Sequence, residues 1–600
     1  MKIRRHYIAM RRHFAHAREH EPVACTTTEL ADILTCTQRN MVLLLNRMQQ
    51  EQWLLWEPKR GRGNRSLLTF LASLEELVLK EAKELVDKQE LQAALALIQH
   101  QPAGERMQAQ FQEWLSGHFG FRSELEGSRR RDVLRFPLPQ TIHTLDPACI
   151  HFFGESHLVN QLFDSLIRLD GKTQEAVPHL AHAWEADKAR VTWTFYLRKG
   201  VLFHHGREMT AADVLYSLER LKSLAPQGLY SWVYKDIAGM EIVNETTIRI
   251  MLSKPNELFL SFLSTNRASI VPEELCRADG MAFGLKPIGT GPFRLESSTQ
   301  GVWTLEAFQP YFQGRAFLDR VEVWSLGGSE EEEGKHEDLM NRSTFQVMHN
   351  ARITEMDGGE WQQIKQSGTT IKFMTVNALN GGPMENAEIR AVINEAIDRN
   401  RLLELLSGDV LEPATTLNRT ESREIRKRTF KPCNYASLKK RLREAGYEGQ
   451  TLRLTTIPEY ARDAELIQAL LKEIDVPLEL RLLKAEEFKG SSRMTADLLL
   501  FAVMLDEHRE LRLIDLYASM LQHMNPQLIP VLDKPMKQLL EEPDQTKRSE
   551  HFLAMEKRLI EDNSLFLLYR KALKTAFHPS VQGISLESLG WVRFRDLWFR

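Results

Sequence analysis

The stretch WTFYLRKGVLFHHGREMTAADVLYSLERL, Trp193 to Leu221, carries the reading of the fold. Its second half has a local reason to be helical. Thr210 stands as N-cap, Asp213 places an acid in the first turn near the exposed backbone N–H groups, and Val214, Leu218 and Leu221 recur on one inward face. Outward from this stretch, strand-like runs (VLRFPL at 133–138, IRIML at 248–252, LRLTTI at 452–457) alternate with helical runs (AADVLYSLERL at 211–221, NAEIRAVINEAI at 386–397, AELIQALLKEI at 464–474). That alternation argues for an α/β body from residue 133 onward.

Six hundred residues exceed one hydrophobic core. The chain is 43% apolar and 26% charged, the usual globular balance. Lys2, Arg4, Arg5, Arg11, Arg12 and Arg18 interrupt the first twenty residues, so no secretory signal is expected. No later run reaches about 18 uninterrupted apolar residues, so no membrane span is expected either. Cys25, Cys36, Cys149, Cys276 and Cys433 are scattered and odd in number, which fits a reducing cytoplasm and neither a disulfide framework nor a zinc site.

Charge is unevenly distributed. Residues 1–70 hold twelve Lys/Arg against six Asp/Glu, a balance of +6 in a chain whose formal net charge is -3, so the rest carries -9. A basic end on an acidic body is the asymmetry expected when that end meets a polyanion.

Thr26 to Phe70 gives this basic end a shape. Thr26 or Thr27, with Glu29, starts one short helix through Leu30, Ile33 and Leu34. After a break at Thr35 to Thr37, a second helix spaces Met41, Leu44, Leu45 and Met48 on a buried face, which leaves Gln38, Arg39, Asn40, Leu43, Asn46, Arg47 and Gln50 outward. These side chains suit base edges and phosphates in a major groove. WLLW and SLLTF then flank a turn whose cations are Lys59, Arg60, Arg62 and Arg65. Helix, turn, helix and basic hairpin is the order of a winged helix-turn-helix, so Gln38, Arg39, Asn40, Asn46, Arg47, Lys59, Arg60, Arg62 and Arg65 are the expected contacts to double-stranded DNA.

Ser73 to His100 and Glu105 to Leu115 read as amphipathic connector helices that pack locally or against a second copy in a homodimer. The expected division is a head at 1–72, a helical connector at 73–130 and a body at 131–600, with the second boundary in the glycine and charge run from Gly127 to Asp132. The body's first lobe is expected at about 131–375 and 510–600, and its second at about 376–509.

Four ordered motifs go beyond pattern: residues 177–221, PIGTGPFRL at 287–295, NAEIRAVINEAIDRNRLL at 386–403 and REAGY at 443–447. Together they resemble the extracellular solute-binding protein family 5, which includes oligopeptide-, dipeptide- and nickel-binding proteins of ABC importers. With the winged head and the closing GWVRFRDLWF, the whole resembles the SgrR group of bacterial transcriptional regulators. The resemblance implies a multidomain protein: an α+β winged helix-turn-helix head, a helical connector, and an α/β two-lobed periplasmic-binding-protein-like body (class II, family 5).

In GTGPF, Gly289 and Gly291 are expected to adopt unusual backbone angles, and the missing GK[ST] ending argues against a phosphate-binding loop. Arg390 and Asp398 are expected to form a scaffold ion pair. His179, His182, His204 and His205 lack acidic or thiol partners at revealing spacing, so no metal and no cofactor is expected. The resemblance places the ligand cleft at LDPACIHFFGES, after IKFMTVN and at FAVMLDEH, hence Glu155, Asn377 and Asp506 as ligand-binding residues. The last segment lacks the tryptophan that peptide-binding members carry, which argues against a peptide.

No GxSxG elbow, HExxH helix or Walker motif supports an enzyme. The expected function is a cytoplasmic one-component regulator that binds DNA and senses a small-molecule effector, a sugar phosphate by the SgrR resemblance. The alternative is a cytoplasmic solute-binding protein or importer accessory whose basic head binds a partner other than DNA.

Overall fold

A computed structural model of the chain describes residues 2–59, 65–99, 104–138, 140–171, 173–226, 228–326, 347–349, 362–406, 411–417, 433–484, 487–488, 490–577, 579–585 and 591–600. The head begins with a helix outside the expected plan, α1 (Lys2–His13), followed by β1 (Pro22–Cys25), α2 (Thr27–Ile33), α3 (Gln38–Gln50), β2 (Leu54–Glu57) and β3 (Ser66–Phe70). Tyr7 and Met10 of α1 are fully buried against the head core, and the Tyr7 hydroxyl donates to the Ala72 carbonyl at 2.7 Å. The strands form an antiparallel sheet in the order β1-β3-β2, so the wing is three-stranded.

Three connector helices succeed the wing: α4 (Leu74–Asp87), α5 (Leu91–Gln99) and α6 (Gly104–Ser116). The expected boundary near Gly127 to Asp132 is corrected. Gly127, with φ at 64°, turns the hairpin between β4 (Gly120–Glu126) and β5 (Arg129–Leu138), and both strands belong to the body. Glycine and charge at that point mark a tight hairpin, a pattern that a linker shares.

The body's first lobe holds two main sheets. β6 (Ile167–Leu169) and β7 (Ala176–Pro178) make a ribbon beside the first, formed by β8 (Ala181–Ala186), β9 (Thr192–Leu197), β10 (Ile237–Asn244) and β11 (Thr247–Leu252) in the order β10-β11-β9-β8. The second joins β12 (Phe293–Thr299), β13 (Val302–Ala307) and β14 (Arg320–Ser325) to β5 and β4, with β14 and β5 parallel. Two helices organise this lobe, α7 (Phe153–Leu162) and α8 (Ala211–Leu224). Val214, Leu218 and Leu221 of α8 are all buried.

The second lobe is a mixed seven-stranded sheet of β15 (Val347–His349), β16 (Gln362–Val376), β17 (Leu411–Pro413), β18 (Leu452–Thr456), β19 (Leu478–Leu482), β20 (Leu498–Leu505) and β21 (Leu565–Phe577). Its order is β15-β21-β16-β20-β18-β19, with β17 also on β21. The expected split at 376 and 510 is therefore corrected. β16 pairs residue by residue with β20 and β21, so both long strands lie inside the second lobe's sheet. The helix Arg509–Met520 lies against β20 and the helix Gln545–Glu561 against β21, while one cluster joins these helices both to Ile371 and Phe373 of β16 and to the first lobe's core. The segment after β21 returns to the first lobe, where Val581, Trp591, Val592 and Phe594 join Phe577, at the end of β21, in its core.

The head is docked on the body. One apolar cluster unites Val78, Leu91, Leu95, Phe111 and Phe119 with Val302, Trp324 and Leu326. Gln92 adds polar anchors, its backbone N–H donating to the Gln300 carbonyl at 3.2 Å and its side-chain amide to the Ser325 carbonyl at 3.0 Å.

Candidate functional site: a nucleic-acid interface and an interlobe seam

The helix-turn-helix is built by its caps. Thr26 and Glu29 form a capping box on α2, the Thr26 N–H donating to Glu29 Oε2 at 2.9 Å and the Glu29 N–H to Thr26 Oγ1 at 3.1 Å. Thr37 caps α3 by accepting from the Asn40 N–H at 3.2 Å. Between them Thr35 adopts the left-handed conformation, φ 45°, that reverses the chain between the two helices.

With Met41, Leu45 and Met48 buried, α3 turns Gln38, Arg39, Asn40, Asn46 and Arg47 to solvent. Arg39 and Arg47 form no ion pair among the described residues. Leu43 stands 62% exposed on the same side, an apolar surface of the kind that meets a thymine methyl group. Gln38 is partly committed, since its side-chain amide donates to Thr28 Oγ1 at 2.7 Å and ties α3 to α2. On the wing, Arg65 pairs with Glu29 at 2.6 Å and fastens β3 to the start of α2. Lys59 remains, while Arg60 and Arg62 lie outside the described residues. Part of the head's basic charge is internal: Arg4 pairs with Glu81 at 2.9 Å and Glu84 at 3.0 Å, and Arg5 with Glu81 at 2.8 Å.

In the body, each of the three expected ligand residues is engaged by the protein's own groups. Glu155 is buried and accepts four backbone N–H bonds, from His143, Thr144, His151 and Phe152, at 2.9 to 3.2 Å. It organises the loop ahead of α7. Asn377 donates to the Met494 carbonyl at 2.8 Å and accepts from the Leu379 N–H at 3.0 Å, so its amide stitches the end of β16 to the chain before β20. Asp506 has a side chain only 4% exposed and holds Arg512 through two bonds, at 2.9 and 2.7 Å. Burial pushes its carboxyl upward, but the Arg512 guanidinium overrides this and keeps it below the usual carboxylate range.

Asp506 and Arg512 nevertheless mark a place where the lobes meet. The core around β8 to β11 is continuous with that of the helices Arg509–Met520, Ile529–Glu541 and Gln545–Glu561. Across this seam Asp515 accepts the Trp232 indole N–H at 2.7 Å and the Tyr230 backbone N–H at 3.3 Å. Tyr230 is held in the left-handed region, φ 64°. Burial raises the Asp515 carboxyl to about 6, partly offset by the Trp232 bond and the Arg512 and Arg267 charges. Nearby His508 is pushed down to about 4, chiefly by burial. Sequence reasoning reaches Asp506 but misses Asp515, Arg512 and Trp232. A signal is present: Arg512 and Asp515 stand three apart on the apolar face of RELRLIDLYASM.

The motifs of the stretch from Trp193 to Leu221 and of GTGPF are structural. His204 Nδ1 accepts the Gly289 N–H at 3.1 Å, which leaves the Nε2 proton to donate to the Gly291 carbonyl at 3.1 Å. Burial holds this imidazole neutral, its pKa down to about 4. The expectation for Gly289 and Gly291 is corrected: neither has positive φ. A Cβ on Gly291 would run into the Leu162 carbonyl carbon and come within 2.7 Å of the Phe163 nitrogen, so the loop needs glycine for its close approach to the end of α7. His179 Nε2 donates to Asp164 at 2.6 Å, and Thr290 and Tyr311 donate to the same carboxylate, each at 3.0 Å. Arg390 pairs with Asp562 at 3.0 Å and not with Asp398, which accepts the N–H groups of Asn400 and Arg401. Among the described residues no group of three or more His, Cys, Asp or Glu is placed to hold a metal. Likewise, no described helix is long and apolar enough to cross a membrane.

A two-lobed solute-binding fold carrying a winged helix-turn-helix defines the class. Residues 175–511 match the family described as bacterial extracellular solute-binding proteins, family 5 (middle), and residues 2–120 match the sugar transport-related sRNA regulator N-terminal domain. The chain belongs to solute-binding protein family 5, in the type that bears this SgrR head. It is 30% identical to the uncharacterized protein YhjP of Bacillus subtilis (strain 168) over 100% of both chains. It is 26% identical to the HTH-type transcriptional regulator SgrR of Pectobacterium atrosepticum, over 100% of this chain and 98% of that one. The SgrR of Salmonella typhi is 35% identical over 51% of this chain and 52% of its own. Among solved structures, NikA from Brucella suis in complex with Fe(III)-EDTA superposes with TM-score 0.66 at 20% identity, covering 78% of this chain and 100% of that one. The periplasmic binding protein DppA from Helicobacter pylori, in complex with the peptide STSA, gives 0.64 at 20%, covering 78% and 98%. At that identity these structures speak for the fold.

Proposed function

We propose that this protein is a cytoplasmic one-component transcriptional regulator, in which the winged head binds double-stranded DNA and the two-lobed body binds a small-molecule effector. One observation carries the reading: α3 exposes Arg39, Asn40, Asn46 and Arg47 on its outer face, in a head docked on the first lobe of a solute-binding body. A full-length relative named as an HTH-type transcriptional regulator favours it over a carrier whose head meets another partner.

The seam supplies the mechanism. The first lobe carries the head, so an effector acts by changing how the second lobe sits against that unit. Only an effector that binds one arrangement better than another shifts the population. A sugar phosphate fits the relatives' description as sugar transport-related, and it is the first class to assay.

The deciding experiment is fluorescence anisotropy of the full-length protein on DNA from upstream of its own gene, against scrambled competitor at fixed salt. Preferential binding that a solute then alters supports both halves of the proposal. Equal weak binding to both DNAs returns the carrier reading to the front.

A further inference from the structure

A groove of about 530 Å³ opens between α1 and the connector helices, away from both the α3 face and the interlobe seam. Its floor is apolar, with Ile8 and Leu85 buried and Ala9, Ala93 and Leu97 half-exposed. The alanines leave room for a helix to approach closely. One rim carries Arg12, from α1, and the other Glu90, at the start of α5. Arg5 and Glu81, which also line the groove, satisfy each other at 2.8 Å. Arg12 and Glu90 form no ion pair among the described residues, so the groove presents one unpaired charge of each sign on opposite sides of an apolar strip.

We infer that this groove is a homodimer interface, occupied by the α5 face of a second copy of the chain. A two-fold interface uses the same patch on both partners, so a surface that joins it must complement itself. This one does: rotation about an axis through the groove brings Arg12 of each copy to Glu90 of the other and sets the Ala93 and Leu97 surfaces together. A purely acidic or purely basic partner would leave one of the two charges unmatched. The inference deepens the DNA-binding reading and rests on it for its purpose, because paired heads present two α3 helices to half-sites about one helical turn, or a multiple of it, apart.

The test is sedimentation velocity of the full-length protein over a range of concentrations. The wild type is expected to sediment as a dimer. Arg12→Glu and Glu90→Arg should each raise the dissociation constant about tenfold or more by setting like charges together at two symmetric sites. The double reversal should restore the dimer. Ala93→Trp, which fills the groove from within, should also give monomer, and circular dichroism confirms that each variant is folded. A monomeric wild type, single reversals that stay dimeric, or a double reversal that fails to restore association overturns the interface. DNA binding by a monomer would overturn the interface alone. A dimer that ignores DNA would overturn the reading of the head alone.

Discussion

Asp515 of the second lobe accepts the indole N–H of Trp232 of the first lobe at 2.7 Å, within a core that runs unbroken across the seam. The lobes are thus held together by side chains of the protein itself. An effector that works through this body must engage or disrupt an interface with its own polar clasp.

The clasp should be sensitive to pH. Burial raises the Asp515 carboxyl to about 6, above the ordinary value of about 3.9. The groups facing it are Trp232, Tyr230, Arg512 and Arg267. A raised pKa means that the assembled state binds the proton more readily, so its contribution is fully present below about pH 4 and is lost as pH rises through 6. The shift corresponds to about 3 kcal/mol. Asp515→Asn should flatten the dependence of the unfolding midpoint between pH 4 and 7, measured by thermal melts in matched buffers. A wild-type curve already flat in that window would exclude the clasp as a titrating element.

Readout and anchoring by the head should separate in two substitutions. Arg39→Ala on α3 should narrow the affinity gap between operator and scrambled DNA by about 1–3 kcal/mol. Lys59→Ala at the base of the wing should weaken both DNAs alike and reduce the slope of log affinity against log salt by about one. Anisotropy titrations at three salt concentrations measure both effects. If the two variants behave identically, α3 does not read sequence.

The loop at Gly291 gives a test of the assembled motif pair. A methyl group there meets the backbone of Leu162 and comes within 2.7 Å of the Gln161 carbonyl oxygen, contacts that no side-chain rotation relieves. Gly291→Ala should destabilise the first lobe by about 1–3 kcal/mol through forced backbone displacement. A chemical denaturation midpoint equal to wild type would show that the loop yields without cost.

The sequence carries the architecture unevenly. Head and body are legible because caps, helical periodicity and turn residues are local: Thr26, Met41 and Leu45 behave in the structure as their spacing demands. Helix α1 is hidden because its arginines dominate the composition, although Tyr7, Met10 and Phe14 carry a helical period and are buried. The lobe boundaries are misplaced because β16 and β21 contact each other across nearly two hundred residues, a pairing no local pattern announces. Glu155 and Asp506 stand out as acids in the right segments, but whether an acid is open to a ligand depends on tertiary partners: four backbone N–H groups in one case and Arg512 in the other.

How the body informs the head rests on the joint at Trp324. This side chain is 1% exposed, packs edge-on against Phe119 and beside His118, and belongs to the cluster that binds α4, α5 and α6 to the body sheet. Because the joint is apolar and buried, the head should move with the first lobe as one piece. Trp324→Ala removes its largest contact, at about 3–5 kcal/mol. The head should then hang on the chain between Ser116 and Gly120, where limited proteolysis should cut faster than in the wild type. DNA binding should persist, since no described residue of α3 or the wing belongs to the cluster around Trp324. The effector's influence on that binding should disappear, because a released head no longer senses how the lobes are arranged. If an effector still modulates DNA affinity after the joint is opened, the signal passes by another route.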